Sequence, residues 1–140
     1  MKILVALDNS DFAKRVLEKA LQVAKTTEGA TLTAINVVNF TPYFLNVGEM
    51  PPDVQKNIRA HADKLTSWAK EQAQAQGLTM DTAVEESYSP ADAIVKYAEK
   101  NKFDLIVIGH KGASAIERFL VGSVAVNVVS HAHCSVLVVR

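Results

Sequence analysis

Three glycines and a serine in one stretch of this 140-residue chain have the types and the spacing to hold an anion. Gly109, Gly112 and Gly122, with Ser123 behind the third, follow an apolar run from Leu105 to Ile108. A residue without a Cβ, placed after a buried strand, lets the backbone turn sharply or come close to a ligand. A second one three positions on can leave several N–H groups pointing into one concavity, which suits an anion. The third, with a hydroxyl behind it, falls where a helix is expected to begin, and helix N-termini attract phosphate. Each glycine alone reads as a turn. Together they read as a phosphate cradle. The pattern is not the P-loop, because no Gly-Lys-Ser/Thr follows, nor is it the G-x-G-x-x-G dinucleotide fingerprint.

The remaining chemically capable residues are fewer. Asp8, after the apolar run Ile3 to Leu7, could ligate Mg²⁺ on a bound phosphate; capping the first helix is the plainer role. Lys111 and Arg118 could neutralise phosphate, with Arg118 expected simply to be solvated. His131 and His133 have a spacing that suits a metal on a strand but would point apart on a helix, and no third ligand is in view. His61 reads as a helix-surface residue and Cys134 as a small buried hydrophobe. No general base, nucleophile or oxyanion constellation can be assembled. The chain is therefore not expected to be an enzyme, or at most to hydrolyse a bound phosphate compound slowly, since a water-positioning residue and an arginine finger are both missing.

The elements that must position these residues follow from periodicity. Ile3 to Leu7 reads as a strand buried on both faces, and Asp8-Asn9-Ser10 ends it with turn-forming and capping residues. Residues 11 to 27 carry apolar side chains at helical spacing and stop at Gly29. Thr31 to Val38 is a second strand. Residues 39 to 52 hold three of the four prolines and no clean period, an irregular connection of the length that often responds to ligands or partners. A long helix runs from Asp53 to Gly77. Met80, Thr82 and Val84 then mark a half-exposed strand near an edge. Ser89-Pro90-Ala91-Asp92 opens the next helix, with serine as cap and a carboxylate able to return a bond. Leu105 to Ile108 and Ser135 to Val139 are the fourth and fifth strands. Between them Val124, Val126 and Val128 alternate as in a strand, yet a helix is expected there, because two parallel strands need a crossover of a dozen or so residues.

Strands alternating with helices predict one α/β domain: a single doubly wound, Rossmann-like parallel sheet with helices on both faces. Ligands of such sheets bind beyond the carboxyl ends of the strands where their order reverses. Fifteen basic residues balance fifteen acidic ones, so nothing in the charge argues for nucleic acid or an acidic membrane. A single cysteine leaves no internal disulfide and fits a reducing compartment. The opening apolar run is too short for a signal-peptide core, and none approaches the ~20 residues that span a bilayer. A soluble, cytoplasmic protein is expected.

The glycine spacing after the fourth strand, the strand-Asp-x-Ser opening and the apolar final strand together resemble the universal stress protein family, in its ATP-binding branch. The resemblance covers the whole chain. It implies strand order 3-2-1-4-5 and ATP as ligand, with Mg²⁺. By position, Gly109 and Gly112 would wrap the ribose and phosphates, while Ser123 and the amides of Val124 and Ala125 would hold the phosphate chain beside Gly122. Ala6, Asp8 and Val37 would hold the adenosine side. His110 and Lys111 stand where the family usually has a small hydroxyl residue and then Arg or His. Lys111 keeps the charge, and the bulkier His110 would either crowd the ribose or add a phosphate contact. The apolar strand Val136 to Val139, a liability if left as a free edge, is expected to pair in a homodimer, as the resemblance also implies. A regulatory protein that responds to its nucleotide is the leading expectation. A weak ATPase or phosphotransferase, and a nucleotide-independent interaction module, are the alternatives.

Overall fold

The structure, a computed structural model, describes residues 1–39, 50–111 and 121–140. In chain order the elements are β1 (Lys2–Ala6), α1 (Ala13–Lys25), β2 (Thr31–Val38), α2 (Pro52–Ala75), β3 (Met80–Glu86), α3 (Pro90–Lys100), β4 (Leu105–Gly109), α4 (Ser123–His131) and β5 (Ser135–Val139). The strands form one sheet in the order β3-β2-β1-β4-β5, and every pairing is parallel. The expected α/β class, strand order and alternation are therefore observed.

Alternation along the strands builds two separate cores. Ile3, Val5 and Leu7 face one way, with Leu32, Ala34 and Val107, and are covered by α1 and α2. Leu4, Ala6, Ile35, Ile106 and Ile108 face the other way, against α3 and α4. Ile3, Leu4 and Val5 are each 0% exposed, as a central strand between two helical layers requires. Burying such an aliphatic side chain contributes about 1.5–3 kcal/mol.

The helix ends follow local chemistry. Gly77, at φ +74°, closes α2; Leu78 N–H reaches the Ala73 carbonyl at 2.9 Å and Gly77 N–H that of Gln74 at 3.0 Å. That double bond is the Schellman closure a left-handed residue permits. At α3 the Ser89 hydroxyl accepts from Asp92 N–H at 3.3 Å, as expected. The return bond of a capping box is not made. Asp92 instead pairs with Lys96 Nζ at 3.0 Å, and Ser89 N–H takes the Ser87 hydroxyl at 3.1 Å.

The valine-rich segment is the helix α4, despite its alternation. Ala125 and Val128 are its buried residues, at 2% and 0% exposed, and Val126 and Val129 face outward. The crossover overrides valine's mediocre helix propensity. Of the irregular connection 39–52, residues 40–49 lie outside the described residues, and so does Arg118.

Candidate functional site

Strand order reverses about β1, since the chain runs outward through β2 to β3 and then returns to β4 on the other side. Ala6 and Gly109 thus end β1 and β4 on neighbouring strands, with Val37 near the end of β2 on the other side of β1. A cavity of about 590 Å³ opens there, with Ala6, Ile35, Val37, Ile94 and Ile108 as apolar walls. Phe12 and Val16 of the α1 region and Pro90 of α3 close its sides. Asp8, Ser10, Asn36, Lys111 and Ser123 supply the polar lining.

The α4 end of the cavity is rich in donors. Gly122 is the cap residue of α4; its carbonyl accepts from Val126 N–H at 3.1 Å, and its own N–H goes to the His110 carbonyl. Ser123, Val124 and Ala125 supply the first helical amides, which an α-helix cannot satisfy internally. Among the described residues no side chain caps them, and the first turn carries no acid. Ser123, Val124 and Gly122 line the cavity. Ala125 is 2% exposed and packs in the α3–α4 core, so only its backbone is available. Gly122 sits at φ −64°, ψ 158°, a conformation open to any residue, so backbone strain does not require glycine there.

On the β1 side of the cavity Asp8 Oδ1 accepts from Ser10 N–H at 3.0 Å and from the Ser10 hydroxyl at 2.5 Å. This is an Asx turn, and it corrects the expectation of a helix cap. The cap position of α1 is Phe12, with no side-chain bond, and Ala13 N–H takes the Ser10 carbonyl at 3.1 Å. Asp8 Oδ2 has no hydrogen-bond partner among the described residues and remains available to a ligand.

Gly109 has a packing role besides its place in the cavity, and His110 departs from expectation. A Cβ on Gly109 would stand 3.0 Å from Phe12 Cδ1 and 3.0 Å from Val16 Cγ2. The close approach that this glycine permits is that of α1 onto β4. His110 neither crowds the cavity nor lines it. It is 8% exposed, turned toward β5, with Nδ1 3.1 Å from the Val139 carbonyl. Since a carbonyl only accepts, Nδ1 carries the proton. Its ring meets Phe12 edge-on at 5.0 Å between centroids, and its backbone N–H also reaches the Val139 carbonyl at 2.8 Å. Gly112 lies outside the described residues. Ala6, Asp8, Val37, Gly109, Lys111, Gly122, Ser123 and Val124 are brought to one cavity.

Pro90, Ile94 and Asn36 line the cavity without having been singled out from the sequence. The only signal was Asn36 itself, an asparagine inside an otherwise β-branched and apolar strand, where that residue type is depleted. Elsewhere, among the described residues, no group of three His, Cys, Asp or Glu side chains could hold a metal. His133 Nε2 lies 3.4 Å from Glu99 Oε2, and His131 bonds back to the Asn127 carbonyl at 2.8 Å. Burial, and secondarily Asp104, push the Cys134 thiol up, away from nucleophile chemistry. No described helix is long and apolar enough to cross a membrane.

The sequence model of the universal stress protein family matches residues 1–140. The chain belongs to that family. A universal stress protein of Methanocaldococcus jannaschii is 35% identical over 144 residues, covering 99% of this chain and 81% of its own length. Among solved structures, the universal stress protein of Archaeoglobus fulgidus in complex with dAMP superposes at TM-score 0.71 and 27% identity, covering 100% of this chain and 98% of that one. A universal stress protein in complex with cAMP superposes at TM-score 0.75 and 27% identity, covering 100% and 97%. Adenine nucleotides are thus ligands of two family members that share this universal stress protein's fold.

Proposed function

We propose that this universal stress protein binds an adenine nucleotide, ATP with Mg²⁺, in the cavity at the strand ends and acts as a dimeric, nucleotide-dependent regulatory protein. The observation that carries the reading is the N-terminus of α4, uncapped by any described side chain, with its amides at one end of a largely apolar cavity. Helix N-termini suit phosphate, and apolar walls suit a purine. The dAMP and cAMP complexes of related proteins support the choice of adenine nucleotide.

In this reading the amides of Ser123, Val124 and Ala125 and the Ser123 hydroxyl hold the phosphates, with Lys111 adding charge. Gly122 leaves the phosphate room to approach, and Gly109 and Gly112 border the ribose. Ala6 and Val37 flank the base. Asp8, whose Oδ2 is available, contacts the ribose or a phosphate-bound Mg²⁺. His110 acts only through its carbonyl, which holds the Gly122 amide.

Titration calorimetry with ATP and Mg²⁺ tests the proposal, and no heat at millimolar nucleotide would overturn it. Nucleotide at ~100 times its dissociation constant stabilises the fold by about 2.7 kcal/mol, several degrees in melting temperature. Gly122→Val, which valine's backbone tolerates, is expected to abolish that shift while melting like the unaltered protein without ligand.

A further inference from the structure

Asn36 is a buried residue with a side-chain oxygen that the described residues do not use. The residue is 6% exposed and lines the cavity. Its Nδ2 donates to the Leu7 carbonyl at 2.8 Å. Only the amide nitrogen can serve that acceptor, so the orientation of the carboxamide is set. Oδ1 is then left without a hydrogen-bond partner among the described residues. A buried acceptor left unmade costs about 1–3 kcal/mol. Few such groups occur in folded proteins, and each calls for a reason.

Position supplies the reason. Asn36 lies near the end of β2, and the α4 amides follow β4, with β1 between the two strands. Two strand spacings set the two ends about 10 Å apart across the sheet. A nucleotide anchored by its phosphate at α4 extends its base toward β2.

We propose that Asn36 Oδ1 accepts a hydrogen bond from the exocyclic 6-amino group of the purine, so that Asn36 is the residue by which the cavity selects adenine over 6-oxopurines. The inference rests on the nucleotide-binding reading above. A 6-oxo group turns a lone pair toward the lone pair of Oδ1 and offers no proton. Hypoxanthine and guanine nucleotides therefore leave the acceptor unpaired and add repulsion. Sites built to bond a ligand N–H reject analogues without one far more strongly than apolar pockets reject a change of size.

The test is titration calorimetry of ATP, inosine triphosphate and purine riboside triphosphate, which has only hydrogen at the 6-position. The unaltered protein is compared with Asn36→Ala and Asn36→Thr. Threonine suits a strand and offers a hydroxyl toward the Leu7 carbonyl, so it guards against a variant that fails to fold; melting without nucleotide checks this. The unaltered protein is expected to prefer ATP over inosine triphosphate by about tenfold or more, with purine riboside triphosphate between. In both variants the preference is expected to fall to within about twofold, with residual binding through the phosphates. Equal binding of ATP and inosine triphosphate to the unaltered protein overturns the assignment. So does an unchanged preference in a folded variant. Either result leaves nucleotide binding standing, whereas no binding of any of the three removes that reading and this one together.

Discussion

At the scale of single residues, the glycines that share one motif have different work. Gly122 has an ordinary backbone and sits where a helix end meets the cavity. Gly109 is surrounded by Phe12 and Val16. Adding a methyl group at 109 presses on two side chains with little room to yield, since Val16 is 3% exposed and Phe12 is braced against His110. Gly109→Ala is therefore expected to lower stability by about 1–3 kcal/mol, read as a shift in urea midpoint with an unchanged slope. A glycine pattern in a sequence marks where a side chain cannot stand; it does not say whether a ligand or a neighbouring helix takes the space. That is why the place of Gly122 at the mouth of a helix and beside the cavity was legible and the packing role of Gly109 was not. His110 was misread for a related reason. Its side chain leaves the site because β4 pairs with β5 beside it, a long-range fact that no local spacing reveals. Asn36 was hidden because its meaning lies in the Leu7 carbonyl, 29 residues away.

At the scale of elements, strong local signals held and weak ones yielded to topology. β2 and β5 have the expected bounds, and the long helix stops where Gly77 allows a left-handed turn. The Ser89 cap of α3 is also where its sequence placed it, though its 3.3 Å bond is long and exposed. Ser89→Ala is accordingly expected to cost about 0.5–1 kcal/mol, the low end for a cap, measurable by thermal melting. Asp92→Ala is expected to cost less, because the carboxylate serves only an exposed pair with Lys96. Neither change reaches the α4 amides. The alternating valines of α4 show the opposite case, where a pattern of period two was overruled by the need to return to the sheet. Its helical state is a property of the whole crossover.

At the scale of the molecule, the parallel sheet ends in two edges, β3 and β5. Val136, Leu137 and Val138 are only partly covered, and a flat apolar edge invites a partner strand. Light scattering is expected to give twice the 15.2 kDa chain mass. Hydrogen exchange should show β5 amides losing protection on dilution while those of β1 keep theirs. A monomer at high concentration, with β5 freely exchanging, would count against pairing there. Every strand of this sheet points the same way, so the mouth of its cavity lies at one rim. Joining two such sheets edge to edge about a two-fold axis runs the second set of strands backward. The mouths of a pair built in that way would open at opposite poles, out of each other's reach, and communication between them would have to pass along the shared seam.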